Sequence, residues 1–390
     1  MSALMPTYTR FPLRLVRGRG LRVWDDAGRS YLDFAGGIAA VPIGHGHPVW
    51  VAAVTAQLDR LTHVSNLFHT DPQERLAEKL AGLSGLPGPT VFLSNSGAEA
   101  NEGALKVARR VGRQRGRTKV VALEGSFHGR TFATMAATGQ PDKGKPFLPL
   151  PEGFFHVPPG DLDSLAAAVD DKTAAVLMEP VLGEGGVVPL DPSYLQAVRS
   201  LCDEREALLV FDEIQTGAGR CGSWFAYHGL GVTPDVFTLA KGLAGGLPIG
   251  ATVAREGLAL GPGEHASTFG GGPVPCAGAL AVLQVIEEED LLRNARVQGE
   301  RLRRGLAEAL ADAGLPGSPR GPGLLVGVPV PDPQAAVRGL IDRGCLATVA
   351  GPGAVRVTPP LTVDRASVDA FVEAFAAVVA AGAPTAEGAA

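Results

Sequence analysis

The sequence predicts an α/β protein in which a large domain, a mainly parallel sheet with helices on both faces, is joined to a smaller α/β domain. The 390 residues are enough for two to three domains. Between about residues 50 and 275, short aliphatic runs alternate with helix-like stretches, which is the pattern of parallel strands with crossover helices. Hydrophobic residues make up 45% of the chain and charged residues 19%, so a sizeable core can form.

The N-terminal segment, residues 1–45, mixes short apolar pieces with turn signals around Asp25–Gly28. This predicts a small hairpin without a core of its own, which we expect to pack with the small domain. Residues 46–275 form the predicted large domain. Its clearest strands are apolar runs followed at once by polar residues or glycine: Thr90–Leu93, Lys119–Leu123, Ala174–Met178, Leu208–Phe211 and Val236–Ala240. We expect the carboxyl ends of these parallel strands to open onto a site.

Residues 276–390 form the predicted small domain. Helical patterns cover Ala277–Glu289, Arg293–Ala313 and Arg365–Ala380, around a few strand-like pieces. The small and polar residues from Gly382 to Ala390 predict a frayed tail.

The charge pattern argues against nucleic acid or membrane as a partner. The net charge is −5, from 35 basic and 40 acidic residues, and no long run carries a single sign. The arginines between Arg109 and Arg117 fit the solvated end of a helix. No stretch reaches the roughly 18 apolar residues of a membrane span. We therefore expect a cytoplasmic protein.

Neither disulfides nor a metal site are predicted. The four cysteines have no CxxC spacing, so reduced thiols are the simplest interpretation. His45 and His47 lie two residues apart in a glycine turn with no third ligand nearby in the sequence. A structural role is therefore expected for both histidines, and no bound metal.

A phosphate site is predicted where an apolar strand ends in Ser94 and a helix begins near Ala98. Small polar residues and a glycine at such a turn leave backbone N–H groups unpaired at the positive end of the helix dipole, which suits a phosphate. An ordinary serine-capped turn has the same sequence, so this signal is weak when taken alone.

A carboxylate and a lysine follow two other apolar runs. Asp212 ends a strand apolar enough to be central, and a desolvated carboxylate there needs a cationic or protonated partner. The rival interpretation, a nucleotide-bound magnesium site, needs a loop ending in Gly-Lys-Ser/Thr, which the sequence lacks. Lys241 ends another run, and apolar neighbours favour the neutral amine that reacts with aldehydes. A lysine that merely extends from a strand end to solvent is the alternative.

Together these three features match the groups that bind pyridoxal 5'-phosphate: a cradle for the phosphate, an aspartate for the ring nitrogen and a lysine for the aldehyde. The sequence therefore predicts this cofactor. Several separate stretches support the same interpretation: Trp24–Gly37, Gly44–Pro48, His63–Pro72, Ser94–Glu102, Phe127–Thr131, Glu179–Gly186, Phe211–Arg220, Ala240–Gly246 and Ser267–Gly271. With them the chain, from about residue 13 to about residue 380, resembles the class III aminotransferases (subgroup II) of fold type I, pyridoxal-phosphate-dependent transferases.

The resemblance implies a set of cofactor contacts. Gly97 and Ala98 hold the phosphate through backbone N–H groups, Phe127 stacks on the pyridine ring and Gln215 reaches the phenolic oxygen. It also implies two catalytic residues that bind the cofactor as well. Asp212 keeps the ring nitrogen protonated; Lys241 binds the aldehyde and moves protons.

The resemblance further implies shared sites and a substrate-binding set. Thr268 reaches the phosphate of the neighbouring subunit, so a homodimer is expected. Arg356 clamps an α-carboxylate as a bidentate fork, and Arg130 meets the second carboxylate or the acetyl-bearing end. Ser267 contacts substrate across the dimer, and Glu184 lies beside an arginine when no dicarboxylate is bound.

Several positions depart from the family or stay open. The departures are Leu182 in place of glutamine, Ala98 of threonine, His69 of tyrosine and Gly272 of asparagine. We expect Leu182 and His69 on the substrate side. Glu179 is either a catalytic acid or a scaffold residue, and His128 either touches the cofactor or packs its own loop.

The implied reaction is transfer of the δ-amino group of N-acetylornithine to 2-oxoglutarate, giving N-acetylglutamate 5-semialdehyde and glutamate, in arginine biosynthesis. The run Ser65–Phe68 favours members that act on N-acetylornithine over those that act on ornithine or 4-aminobutyrate. Succinyldiaminopimelate and lysine-pathway analogues are also possible amino donors. The same fold also admits a mutase, a decarboxylase or a non-catalytic cofactor-binding scaffold.

Overall fold

The structure, a computed structural model, describes residues 3–382. It begins with an antiparallel meander, so the predicted hairpin has a third strand. The first elements are β1 (Leu15–Arg19), β2 (Arg22–Asp25), β3 (Ser30–Asp33), α1 (Gly36–Ala39), α2 (Pro48–Arg60) and α3 (Asp71–Ser84). Asp25 shapes the β2–β3 turn because its Oδ1 accepts the N–H groups of Ala27 and Arg29.

The middle of the chain forms a seven-stranded sheet and a separate two-stranded hairpin. Its strands are β4 (Thr90–Ser94), β5 (Lys119–Leu123), β6 (Phe154–Val157), β7 (Thr173–Met178), β8 (Val181–Leu182), β9 (Val188–Pro189), β10 (Leu208–Asp212), β11 (Val236–Leu239) and β12 (Gly250–Ala254). The order in the large sheet is β4–β12–β11–β10–β7–β5–β6. All of the predicted strands are present, and the predicted α/β class is confirmed.

One strand of the large sheet, β12, was not predicted and runs antiparallel to both of its neighbours, β11 and β4. The chain leaves β11, turns through residues 240–249 without an α-helix and returns beside it. Such a short connection allows only antiparallel pairing, because a parallel partner needs a crossover of a dozen or more residues. The sheet is therefore mixed, with mostly parallel strands.

Helices cover both faces of the sheet. Those between the strands are α4 (Gly97–Arg113), α5 (Phe132–Ala137), α6 (Pro141–Gly144), α7 (Leu162–Ala168) and α8 (Pro192–Glu204). Successive residues of one strand point to opposite faces: Leu209 and Phe211 belong to one hydrophobic cluster, Leu208 and Val210 to another. Continuous apolar runs are the expected sequence of strands buried on both faces.

The C-terminal elements form a third cluster of buried residues. They are α9 (Pro273–Glu288), α10 (Leu291–Asp312), β13 (Val326–Pro329), α11 (Pro333–Asp342), β14 (Cys345–Leu346), β15 (Thr348–Ala350), β16 (Ala354–Val357) and α12 (Arg365–Gly382). The three predicted helices are confirmed as α9, α10 and α12. The N-terminal segment contacts this part: β3 pairs with β14 and Phe34 stacks on Phe371, with ring centroids 4.2 Å apart.

Two further findings concern the C-terminal tail and the character of the helices. The tail predicted to fray, residues 383–390, lies outside the described residues. Between residues 3 and 382, no helix combines the length and the apolar character that crossing a membrane requires.

Candidate active site

A cavity of about 390 Å³ lies where several strands of the large sheet end. Its wall takes residues from the ends of five strands: Ser96–Ala98 after β4, Phe127–Arg130 after β5, Glu179 after β7, Asp212 at the end of β10 and Lys241 after β11. The remaining wall is largely apolar and includes Ala40, Ile214 and residues 247–249. A crevice at the carboxyl ends of parallel strands is the common ligand site of open α/β sheets.

The Asp212 carboxylate is 3% exposed and is held by hydrogen bonds from surrounding residues. Asn101 Nδ2 donates to Asp212 Oδ2 at 2.7 Å, and His128 Nδ1 lies 2.8 Å from the same oxygen. Because an ionised carboxylate can only accept, His128 donates from Nδ1. The Ile214 N–H donates to Oδ1 at 3.0 Å, and Thr238 Oγ1 fixes Asn101 by donating to its Oδ1 at 2.8 Å. These contacts fix the direction of the carboxylate at the cavity wall.

The start of α4 follows the capping rules of helices. Ser96 is the N-cap and its Oγ accepts the Glu99 N–H at 3.2 Å. Glu99 Oε2 reaches back to accept the backbone N–H of Asn95 at 2.5 Å and its side-chain amide at 2.9 Å. The first N–H groups of a helix, here those of Gly97 and Ala98, have no intrahelical acceptor, and both residues line the cavity. The turn can therefore donate backbone hydrogen bonds to an anion.

Lys241 follows β11 at the start of a short 3₁₀ turn and is partly buried. Burial lowers the pKa of its ammonium group, and the nearby Arg356 cation lowers it further. The carboxylates of Glu184, Asp212 and Glu179 oppose this effect without reversing it. The amine is thus more easily deprotonated than an exposed lysine.

Arg356, in β16, is 1% exposed and lies beside the cavity. Its guanidinium pairs with Glu184 and donates to Gln215 Oε1 at 3.1 Å and to Thr348 Oγ1 at 3.2 Å. Burial raises the pKa of the Glu184 carboxyl, but Arg356, together with Lys241 and Lys143, lowers it, and the net shift is downward. Gln215 Nε2 is buried without a hydrogen-bond partner among residues 3–382. One donor beside the cavity is therefore free.

Phe127 and two cations lie together at the cavity. The Arg130 guanidinium carbon is 5.6 Å and the Lys143 Nζ 5.9 Å from the centroid of the Phe127 ring. Arg130 is exposed, as is Thr131 after it, while residues 127–129 before it are partly or fully buried. Positive charge at the entrance of a cavity attracts anionic ligands.

The 267–272 loop lies apart from the large cavity. Ser267 Oγ accepts Asn95 Nδ2 at 3.1 Å, and Ser267 thereby touches a residue of the cavity wall. Thr268 is exposed and lines a separate small pocket with Asn66 and Gly271. Within one chain, Thr268 does not line the 390 Å³ cavity.

The structure brings most of the predicted site residues together. Those that line the cavity are Gly97, Ala98, Phe127, Arg130, Asp212, Gln215 and Lys241. Arg356 hydrogen-bonds Gln215 and pairs with Glu184, so both lie next to the cavity. Ser267 lies next to it through a hydrogen bond with Asn95, whereas Thr268 lies apart.

The expectation that Leu182 and His69 lie on the substrate side is wrong for the Leu182 side chain, and for His69 it stays a prediction. Leu182 packs in the main hydrophobic cluster, since it is the second residue of a strand whose alternate side faces the core. His69 is exposed and hydrogen-bonds Glu74 at 2.5 Å. Neither side chain lines the cavity.

Sequence reasoning missed Asn101, whose amide joins Asp212 to Thr238. Asn101 lies one turn inside α4, and a buried asparagine in an otherwise apolar helix face is the signal that could have found it. His128, left open from the sequence, lines the cavity and contacts Asp212 through Nδ1, and whether it touches the cofactor stays open.

The histidines near the N-terminus are each bound to a different acid. His45 Nε2 lies 2.8 Å from Asp33 Oδ2, and His47 Nε2 lies 3.1 Å from Glu289 Oε1. In the described part of the chain no three histidine, cysteine, aspartate or glutamate side chains are grouped as a metal ion requires.

Comparison with known proteins identifies relatives along the whole chain. The family model "Aminotransferase class-III" matches residues 4–379. Acetylornithine aminotransferase of Gloeobacter violaceus is 50% identical over 373 residues, 94% of this chain and 93% of that protein. Acetylornithine aminotransferase of Streptomyces coelicolor is 50% identical over 392 aligned residues, 99% of this chain and 96% of that protein.

Solved structures give the same likeness in three dimensions. Ornithine aminotransferase from Toxoplasma gondii, described with partial occupancy of PLP at its active site, superposes with a TM-score of 0.92 at 33% identity. The match covers 97% of this chain and 92% of that chain. Acetylornithine aminotransferase from Elizabethkingia anophelis superposes with a TM-score of 0.85 at 30% identity, covering 96% and 95% of the two chains.

Proposed function

The chain belongs to the class III aminotransferase family, and on that basis we propose that it transfers the δ-amino group of N-acetylornithine to 2-oxoglutarate. The products are N-acetylglutamate 5-semialdehyde and glutamate, and the step belongs to arginine biosynthesis. The observation that carries the proposal is one cavity that combines Lys241, Asp212 and the start of α4. The 50% identity to acetylornithine aminotransferases favours this donor over those of the more distant ornithine aminotransferases.

Enzymes of this family use pyridoxal 5'-phosphate, and the cavity fits that group. The unpaired N–H groups of Gly97 and Ala98 suit its phosphate, and the free Gln215 Nε2 can donate to its phenolic oxygen. The fixed Asp212 carboxylate suits its ring nitrogen. When bound, the cofactor supplies an aldehyde carbon for the amino group and a ring that withdraws electrons from the carbon next to it.

The residues of this chain then do the acid–base work. Lys241 Nζ would bind the aldehyde carbon until the substrate amino group displaces it there, and the released amine would then take up the proton that the amino-bearing carbon of the substrate loses. Its lowered pKa favours the neutral amine that both tasks need. Asp212 holds a proton at the ring nitrogen, and Phe127 covers one face of the ring and excludes water from it.

Two arginines suit the carboxylates of the substrates. Arg356 can offer a bidentate fork to an α-carboxylate once Glu184 moves aside. The exposed Arg130, at the entrance, suits a second carboxylate or the acetyl-bearing end. We propose that Glu184 returns to Arg356 when no dicarboxylate is bound, and that Ser267 contacts substrate bound to the partner subunit.

We propose that the enzyme works as a homodimer with shared sites. Thr268 is exposed and lies outside the large cavity of its own chain, so it is available to a partner. Around it, Leu67 is 86%, Phe68 65% and Phe269 65% exposed. Apolar surface of this kind is normally covered by another chain.

The proposal includes a domain division and a compartment. The division is an N-terminal segment (1–45) that packs with the small domain, a large cofactor-binding domain (46–275) and a small domain (276–390). The separate hydrophobic cluster of the C-terminal elements supports it. All four cysteines are free, as is usual for proteins of the reducing cytoplasm: Cys202, Cys221, Cys276 and Cys345.

The proposed function is tested by steady-state assay of the purified, cofactor-loaded enzyme with 2-oxoglutarate and a panel of donors. N-acetylornithine is expected to give kcat/KM at least tenfold above ornithine, 4-aminobutyrate and succinyldiaminopimelate. The formation of glutamate and semialdehyde is measured directly. A higher kcat/KM with another donor would reassign the substrate, and the absence of turnover with every donor would favour a non-catalytic scaffold.

A further inference from the structure

Glu179 is a buried carboxylate on the wall of the cavity, directly after the last residue of β7. It is 4% exposed. Each of its two oxygens accepts one backbone N–H: Oε1 from Phe127 at 2.9 Å and Oε2 from Gly183 at 3.0 Å. Both oxygens are therefore occupied, and by two different loops.

The two loops carry different parts of the proposed site. The first carries the Phe127 ring and Arg130, whose guanidinium carbon is 5.6 Å from that ring. The second carries Gly183, whose carbonyl accepts a long bond of 3.4 Å from Arg356, and Glu184, which pairs with the same arginine. A single side chain thus connects the aromatic wall to the Arg356–Glu184 pair.

We propose that Glu179 is a positioning residue that clamps the Phe127 loop and the Gly183–Glu184 loop at a fixed separation. The cofactor ring and the substrate carboxylate are thereby held at fixed positions relative to each other. The inference rests on the proposed function, because the roles of Phe127, Glu184 and Arg356 belong to it. It adds a residue that orients groups on both sides of the reaction without touching the reacting atoms.

The protonation state of Glu179 decides how well the clamp holds. Burial raises the pKa of its carboxyl to about 7, and the Asp212 carboxylate contributes in the same direction, while His128 opposes it. Lys241 is the cation that faces it across the cavity. Above that pH both oxygens are free to accept; below it a proton occupies one oxygen and weakens one of the two backbone contacts.

Glu213 provides a matched control in the same chain. It is 0% exposed, and its oxygens also accept two backbone N–H groups, from Ala226 and Tyr227, each at 3.0 Å, in addition to the Thr216 hydroxyl. Burial raises the pKa of its carboxyl to about 7 as well. Glu213 does not line the cavity, and the 226–227 segment that it holds does not either. Loss of Glu213 therefore reproduces the structural cost of losing Glu179 without the proposed positioning effect.

The experiment compares Glu179→Gln and Glu213→Gln. A glutamine accepts one backbone N–H but turns an NH₂ group towards the other, so each variant loses one contact. Both variants should show a lowered Tm. Only Glu179→Gln should raise the Kd for pyridoxal phosphate, measured by fluorescence quenching on addition to the apo-protein, by about tenfold or more.

Two kinetic readouts accompany the binding measurement. In Glu179→Gln, the KM for 2-oxoglutarate should rise about tenfold while kcat changes less, because the Arg356–Glu184 pair has shifted. The wild-type affinity for pyridoxal phosphate should weaken as the pH falls through about 7. In Glu179→Gln this pH dependence should be weaker than in the wild type.

Equal cofactor Kd, KM and pH profile in the two glutamine variants would overturn the proposal. If Glu179→Gln does not fold, Glu179→Asp keeps the charge but is too short to reach both loops, and the same readouts apply. Cofactor affinity is measured without turnover, so a wild-type enzyme that does not use N-acetylornithine would refute the proposed function and leave this test intact.

Discussion

Lys241 owes its proposed reactivity mainly to burial, and one nearby cation adds to the effect. Burial lowers the pKa of its ammonium group and Arg356 adds to the effect, whereas Glu184 and Asp212 act against it. Since the neutral amine is the nucleophile, the net shift increases the reactive fraction at neutral pH. Arg356 thus has two proposed tasks, one for the substrate carboxylate and one for the amine.

The covalent attachment point can be tested at this single residue. Borohydride treatment of the loaded enzyme, followed by peptide mapping, should label Lys241 alone, and Lys241→Ala should abolish both the label and turnover. Lys143→Ala is the control, because Lys143 is another lysine close to the Phe127 ring, with Nζ 5.9 Å from its centroid. Label on a different lysine, or turnover in Lys241→Ala, would contradict the assignment.

At the residue scale, the sequence predicts the role of a side chain at a strand end but not which side chains from other parts of the chain surround it. Asp212 and Lys241 could be predicted because each ends an apolar run, and both line the cavity. Asn101 could not, since it meets Asp212 from 111 positions away through the packing of α4 on the sheet. Leu182 was misjudged because the face of a two-residue strand is set by its partner, β9.

At the scale of elements, β12 supports the start of α4. Its first residue, Gly250, pairs with Ser94 in the sheet and lies under the turn that leads into the helix. A Cβ at Gly250 would stand 2.5 Å from Ser94 Oγ and 3.0 Å from the Ser96 carbonyl carbon. Gly250 therefore packs closely against the turn that presents the Gly97 and Ala98 N–H groups. β12 was not predicted because no crossover helix connects it to β11, and the alternation of strands and helices was the pattern that predicted the neighbouring strands.

Gly250→Ala should displace Ser96 and with it the start of α4, because a backbone group cannot yield as a flexible side chain can. We expect a loss of about 1–3 kcal/mol in the free energy of unfolding and a clearly raised Kd for pyridoxal phosphate. Denaturant unfolding and cofactor titration of the apo-protein measure the two effects.

Gly82→Ala is the matched control for this substitution. Gly82 lies in α3, where an added Cβ meets nothing within 4 Å, so alanine should stabilise the helix by about 0.5–1 kcal/mol and leave the cofactor Kd unchanged. Wild-type affinity in Gly250→Ala would show that the turn does not depend on β12.

For the whole molecule, the proposed shared-site arrangement makes the site of one chain incomplete. The cavity has its phosphate turn, its acid and its lysine, yet Thr268 lies outside it on an exposed loop. That loop is tied to its own chain by Asn66, whose Nδ2 donates to the Ser267 and Gly270 carbonyls at 2.8 Å and 2.9 Å. A loop fixed in this way offers Thr268 at a set place on the surface. A symmetric dimer would bring two such loops to two cavities.

The shared-site arrangement predicts the outcome of mixing two defective subunits. The hybrid dimer contains one Lys241→Ala chain and one Thr268→Ala chain. If Thr268 acts on the partner's site, one of the two sites carries both substitutions and the other carries neither. Hybrids isolated through different affinity tags should therefore recover about half of the wild-type activity per dimer, with wild-type cofactor affinity at the intact site. Each parent homodimer should remain defective at both sites. If Thr268 served its own chain, no site in the hybrid would be intact, and its activity would stay at or below that of the Thr268→Ala homodimer.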